Sequence, residues 1–257
     1  MTIINKFFFT AFILLVIQSC AFRRDILYLQ NIASADGNAI SRDQSLVQSN
    51  DILQITINSL IPEAADPYNN FASKNVNNIN TIEAVKLQGY LVSSAGTIEL
   101  PILGRLLVLD KPLQTIENDI KELLVTGGHL VNPTVSVRVV NSKFTVIGEV
   151  NRPGTYSFME ETLTLPQVLG YAGDLTINGD RSDVLLIRES NGIRTVKKIN
   201  LTQSNWIKDP SLQVRQNDVV VINPNIQKIK TAGLIGNSGT VLTIASLLLS
   251  SIILITR

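Results

Sequence analysis

Few side chains in this sequence could do covalent or acid–base chemistry, and their spacing does not favour it. The 257-residue chain holds one histidine, His129, and one cysteine, Cys20. A single thiol excludes a disulfide framework, and one His with one Cys leaves a His/Cys metal site short of ligands. The carboxylates Glu160 and Glu161 are adjacent, so on an extended segment they point to opposite faces. Glycoside cleavage needs two acids that face one bond, and these two are expected to be solvated. No nucleophile–base pair, phosphate-cradling glycine loop or cluster of metal ligands stands out. The expectation is therefore no catalytic residue, no cofactor and no metal. Two other carboxylates share a local pattern. "SNDILQITI" (Ser49 to Ile57) and "QNDVVVINP" (Gln216 to Pro224) both read Asn-Asp followed by alternating aliphatics. Asp51 and Asp218 are each expected to cap a turn that opens into a strand, rather than to hold a ligand.

The one thiol has a different context. Lys6 precedes an apolar run of eleven residues, "FFFTAFILLVI" (Phe7 to Ile17), which is too short to span a bilayer and has the form of an export signal. "IQSC" follows, and an aliphatic residue with a small residue directly before Cys20 resembles the lipobox of bacterial lipoproteins. That resemblance implies cleavage before Cys20 and lipidation of it, with Gln18 departing from the usual small residue. An ordinary secretory signal with an incidental Cys is the alternative. Ala21 follows, with no Asp there to mark inner-membrane retention. The formal net charge of +1 speaks against nucleic acid as a partner, because phosphate binding needs clustered cations.

The elements between the ends are mixed. Residues 21 to 48 read as a linker or extended arm, and Ile52 to Ile57 as a strand after a turn at Ser49-Asn50-Asp51. The Asn-rich stretch Ser59 to Asn80 reads as a surface loop. "GYLVSSAGTIELPILG" (Gly89 to Gly104) is expected to be a hairpin turning at Ala95-Gly96. A helix over Thr115–Val125 follows, capped by Thr115, with Ile116, Ile120, Leu123 and Leu124 inward and Gly127-Gly128 ending it. In "NPTVSVRVVNS", Val135, Val137 and Val139 share one face, with Ser136 and Arg138 on the other. A second unit starts at Lys143: a strand to Gly148, a turn at Asn151–Gly154, and a short helix with Pro166 in its first turn and Gly173 at its stop. A hairpin at Asn191-Gly192 and a closing strand complete it. Gly96, Gly104, Gly148 and Gly154 are expected where the backbone needs positive φ or close approach, and Pro101 and Pro153 where strand entries need stiffening.

The order of these pieces resembles the outer-membrane polysaccharide export proteins, the Wza-like capsule and exopolysaccharide translocons. The residues that carry it are Asn50-Asp51-Ile52-Leu53, "GYLVSSAGTIELPILG" and "NPTVSVRV" for an export domain. "VIGEVNRPGTYSF", "LPQVLGYAGDLT" and "VLLIRESNG" carry an SLBB β-grasp-like domain. Departures are Asn50 for the usual Gly, Ser94 and Ala95 in place of an acidic turn residue, and Asp174 for the second Gly of Ala-Gly-Gly. Only one SLBB-like unit is evident, where well-known members carry more. The resemblance implies an α+β chain divided into a lipoprotein signal peptide (1–19), a lipidated arm (20–45), an export domain (46–142), an SLBB-like domain (143–224), a linker (225–239) and a C-terminal transmembrane helix (240–257).

That last segment is the apolar "TVLTIASLLLSSIILITR", about 27 Å long as a helix against a hydrocarbon core of roughly 30 Å. Thr243, Ser246 and Ser250 fall on one stripe, and Leu242, Leu249 and Ile253 on another side. Read from residues alone, it is a single anchor or one stave of a pore lined or joined through the hydroxyl stripe. The resemblance implies the stave, and with it a homo-oligomeric channel for a polysaccharide cargo, seated in outer-membrane lipid and fed by an inner-membrane copolymerase. A monomeric lipoprotein that binds glycan or a partner protein without forming a pore is the alternative.

Overall fold

The computed structural model describes residues 26–31, 45–69, 86, 88–190, 192–231, 239, 242–244, 246–247 and 250–251. Alternating burial builds the first sheet. Strand β1 (Ile52–Asn58) turns Leu53, Ile55 and Ile57 inward. It lies between β2 (Tyr90–Leu91) and β5 (Thr134–Val139), antiparallel to both. Helix α1 (Pro62–Ala65) and a 3-10 turn through Tyr68 follow β1, so part of the expected loop is helical, started by Pro62 at its first position. Asn69 holds this turn to the strand end: its side chain accepts from Ile57 N at 2.9 Å and donates to Ile57 O at 2.8 Å.

Strands β3 (Thr97–Leu100) and β4 (Gly104–Leu107) pair with each other. The expected hairpin at Ala95-Gly96 is therefore not one. The turn exists, with Gly96 N donating to Ser93 O at 2.9 Å. The strand before it, β2, goes to β1, while β3 turns again at Pro101–Leu103 to meet β4. Gly96 is at φ +77, and a Cβ there would lie 2.4 Å from Leu109 Cβ, so the close approach is real.

Helix α2 (Leu113–Thr126) covers the sheet with Ile116, Ile120 and Leu124, all fully buried. Each contributes roughly 2 kcal/mol by burial. Leu123 is 39% exposed and Pro112, not Thr115, is the cap, because Pro112 fixes an extended backbone one residue before the first turn. Gly128 at φ +69 ends the helix, and His129 N and Leu130 N bond back to Leu124 O.

The second core lies under a five-stranded sheet, in the order β7-β6-β10-β8-β9. Its strands are β6 (Lys143–Gly148), β7 (Gly154–Ser157), β8 (Gly179–Ser190), β9 (Ile193–Ile199) and β10 (Val219–Pro224). Only β6 and β10 are parallel. Helix α3 (Leu165–Tyr171) buries Leu165, Val168 and Leu169 beneath it, started by a Thr164–Gln167 capping box. Helix α4 (Ile226–Thr231) follows β10.

The chain is thus α+β, as read, but without the membrane helix. No helix among the described residues is long and apolar enough to cross a membrane. Hydroxyl side chains also interrupt the apolar surface of the closing segment. The expectation of a C-terminal transmembrane helix over 240–257 is overturned.

Candidate functional site

The two Asn-Asp turns have the same geometry and they touch. Asn50 and Asn217 both sit in the left-handed region, at φ 70 and φ 62, which Asn tolerates. Asp51 Oδ2 accepts from Gln48 N at 2.7 Å, and Asp218 Oδ2 accepts from Arg215 N at 2.7 Å. Each carboxylate closes a turn three residues back and is buried, Asp51 at 3% and Asp218 at 1% exposure. Gln216 Nε2 donates to Asp51 Oδ2 at 2.8 Å, and Asn217 Nδ2 donates to Gln48 Oε1 at 3.0 Å. The sequence echo is therefore the contact between the two sheets. Burial pushes the Asp51 carboxyl above its ordinary value, and the bonds from Gln48 N and Gln216 hold it partly back.

Asp218 has a cation and Asp51 does not. Arg188 on β8 grips Asp218 through Nε at 2.9 Å and a terminal nitrogen at 2.7 Å, and also donates to Ser211 O and Gln213 O. This bidentate pair ties the loop before β10 to the sheet.

A cleft of about 280 Å³ opens beside the junction, lined by Leu46, Arg138, Ser142, Met159, Glu160 and Glu161 among others. Glu160 and Glu161 are both exposed at its margin. A second hollow of about 290 Å³ is lined by Gln54, Thr56, Ser136 and Arg138. These four stand on the sheet face opposite Leu53, Ile55 and Val137, with Gln54 opposite Arg138 and Thr56 opposite Ser136. Alternation had placed Ser136 and Arg138 together, but nothing local in the sequence pointed to Gln54 and Thr56 as their neighbours.

The N-terminal arm packs on the second unit. Leu29 N and Gln30 N donate to Leu201 O and Thr202 O at 3.1 and 2.8 Å. Tyr28 Oη donates to Asp174 Oδ1 at 2.6 Å, and the Arg181 guanidinium lies 5.3 Å from the centre of the Tyr28 ring. Burial, then the Asp174 bond, pushes the Tyr28 phenol up. Asp174 itself is at φ 67, so at Asn50 and Asp174, where the resemblance leads one to expect glycine, stand the residue types that best tolerate that backbone.

The other expected residues fall as follows. Gly104 and Gly148 have positive φ, 76 and 96, and a Cβ on Gly148 would lie 2.0 Å from Ile222 O. Gly154 has neither a positive φ nor a close neighbour, and opens β7 in extended conformation; strand pairing alone accounts for it. Pro153 lies in the turn between β6 and β7. Thr243, Ser246 and Ser250 turn their hydroxyls onto Gly239 O, Thr243 O and Ser246 O at 2.5, 2.9 and 2.8 Å. Cys20 lies outside the described residues. Among the described residues no group of three His, Cys, Asp or Glu could hold a metal ion.

Comparison with known proteins matches residues 40–140 to the family described as polysaccharide biosynthesis/export protein, and residues 142–222 to the SLBB domain. The EPS I polysaccharide export outer membrane protein EpsA of Ralstonia solanacearum is 28% identical over 159 residues, covering 60% of this chain and 41% of that protein. The protein of the same name from Ralstonia nicotianae is 33% identical over 111 residues, covering 41% of this chain and 28% of its own. The chain thus spans less than half the length of these curated relatives.

Proposed function

We propose that this chain, whose residues 40–140 match the polysaccharide biosynthesis/export protein family and whose residues 142–222 match the SLBB domain, serves polysaccharide export at the outer membrane. Its copies form the wall of a conduit for a capsular or secreted polysaccharide. Lipid on Cys20 anchors each copy, and an inner-membrane copolymerase delivers the cargo. The described residues of one copy form three open sheets of two, three and five strands, and a conduit needs several copies. The cargo passes through by diffusion, and no residue of this chain acts as a catalyst.

The observation that carries this reading is the direct succession of the two matched domains, joined by the buried Asp51–Gln216 bond at 2.8 Å. A wall built from repeated copies needs a fixed angle between its parts, and hydrogen bonds shielded from water hold such an angle better than exposed ones. Exposed apolar side chains at the sheet margins, such as Leu91 at 61% and Val196 at 58%, offer surface for a neighbouring copy.

The test is a deletion of the gene with polysaccharide measured in the medium and in the periplasm, together with cross-linking of the full-length protein in cells. Loss of secretion with periplasmic accumulation, and a ladder of cross-linked copies, is the expected result. Undiminished secretion ends the export role. A strict monomer ends the conduit and leaves a lipoprotein that binds glycan or a partner protein.

A further inference from the structure

Four polar side chains stand together on one sheet face with no partner among the described residues. Gln54, Thr56, Ser136 and Arg138 occupy adjacent positions on the solvent face of β1 and β5, as the directly opposed pairs Gln54/Arg138 and Thr56/Ser136. Opposed side chains stand about 5 Å apart across the ladder, and successive ones on a face about 7 Å apart along it. None of the four side chains has a hydrogen bond or ion pair among the described residues, although Gln54, Thr56 and Ser136 are only partly exposed. They line a hollow of about 290 Å³ that shares Ser136 and Arg138 with the cleft running to Met159, Glu160 and Glu161. Several other cations are paired: Arg188 holds Asp218, Arg194 holds Glu189, Lys198 holds Asp183 and Lys228 holds Glu149. Glu117, the one carboxylate near β5 with a defined role, is committed to Val137 N at 2.9 Å.

We propose that this sheet face is a saccharide subsite for a sugar bearing a carboxylate, a uronate, with Arg138 holding the carboxylate and Gln54, Thr56 and Ser136 bonding the ring hydroxyls. The inference rests on the export reading above, and names the contact surface and the charge class of the cargo. A guanidinium without a partner matches a carboxylate in shape and charge. Amide and hydroxyl groups both donate and accept, as sugar hydroxyls do. A protein partner fits the face poorly, because the buried centre of a protein interface is depleted in charge and rich in aromatic residues, and this quartet has no large apolar member. Glu160 and Glu161 at the far end of the adjoining cleft accept from hydroxyls of the next sugar and disfavour a second carboxylate there, which spaces the acidic residues along the chain.

The test is affinity electrophoresis of the full-length, detergent-solubilised protein through gels containing polygalacturonate, neutral dextran or no polymer. The parent is expected to be retarded by polygalacturonate, less so as salt is raised, and not by dextran. Arg138→Ala should weaken apparent affinity about five-fold or more, with Arg138→Lys between. The double variant Gln54→Ala/Thr56→Ala should lose about two- to three-fold. All three should keep the parent's melting profile, because these side chains have no partners to lose. Equal retardation of parent and Arg138→Ala overturns the subsite, as does no retardation of the parent, or equal retardation by dextran. A change in sedimentation of Arg138→Ala with retardation unchanged also overturns it, and gives the face to a second copy. Secretion by cells separates this failure from that of the export role. Normal secretion by the Arg138→Ala strain, where deletion abolishes it, removes the subsite alone. Normal secretion after deletion removes the export role whatever the gels show.

Discussion

The carboxamide of Gln216 donates a 2.8 Å hydrogen bond to the buried carboxylate of Asp51, and the two residues are 165 positions apart in the chain. That bond joins two turns of one kind, each closed by its own aspartate. With the Asn217–Gln48 bond it holds an end of the three-stranded sheet to an end of the five-stranded one.

Replacing Asp51 with Ala leaves Gln48 N and the Gln216 amide without their acceptor. A buried donor left unmade costs about 2 kcal/mol, and urea denaturation should show that loss. Asp51→Asn keeps an oxygen for both donors and removes the buried charge. Burial raises the Asp51 carboxyl in the folded state, so the folded protein keeps this proton at pH values where the unfolded chain has released it. The contribution of this group to stability is therefore greatest in acid and falls as pH rises from the ordinary aspartate value through the raised one. Asp51→Asn should flatten that fall and be at least as stable as the parent at neutral pH. A variant with the parent's full pH slope contradicts this account.

Arg188→Met should be more damaging than any surface change. It strands the Asp218 carboxylate, 1% exposed in its side chain, without its cation. An uncompensated buried charge costs about 3 kcal/mol or more, read as a fall in the denaturation midpoint. The double variant Arg188→Met/Asp218→Leu should recover part of the loss.

Gly148→Ala tests the close approach of β6 to β10. The residue stands at φ 96, and the new methyl would lie 2.0 Å from Ile222 O. Strain and displacement together should cost about 3 kcal/mol. Gly154→Ala, with no such neighbour, should change stability by less than about 0.5 kcal/mol.

The Glu149 carboxyl lies below the usual carboxylate range, first because Lys228 donates to it at 2.6 Å. This bond links α4 to the end of β6. Its stabilising effect is present above the ordinary glutamate value and fades as pH falls through the lowered one. In Lys228→Ala, an NMR titration should return Glu149 to the ordinary range. An unmoved titration would mean that Thr176 alone holds it.

Tyr28→Ala should free the arm. The variant loses the 2.6 Å bond to Asp174 and the ring beside Arg181, leaving the two backbone bonds to Leu201 and Thr202 and the bond from Ser204 Oγ to Asn31 O. Limited chymotrypsin cleavage after Leu27 and Leu29 should quicken severalfold, with the fragment from Gln30 onward persisting.

Several elements were legible in the chain because their causes are local. Alternating aliphatics made β1 and β5, Pro166 and Gly173 bracketed α3, and Asn191-Gly192 marked the β8–β9 hairpin. The Asn-Asp echo foretold two like turns, since an Asp that caps its own turn needs only its neighbours. The expectations that failed depended on distant partners or on length. The Gly89–Gly104 stretch reads as one hairpin, yet β2 gains more from β1 than from β3. The closing segment is apolar by composition, but no helix among the described residues is long and apolar enough to cross a membrane, and the hydroxyls of Thr243, Ser246 and Ser250 bond to backbone carbonyls of their own segment.

The sequence by itself determined most of the elements and the turns between them, because spacing and side-chain chemistry act over a few residues. Only the tertiary structure decided that Asp51 meets Gln216, that Tyr28 lies on Asp174, and that Gln54 and Arg138 stand side by side without partners. Such contacts depend on which strands pair and in which register, and pairing is settled by burying both cores at once rather than by any one segment.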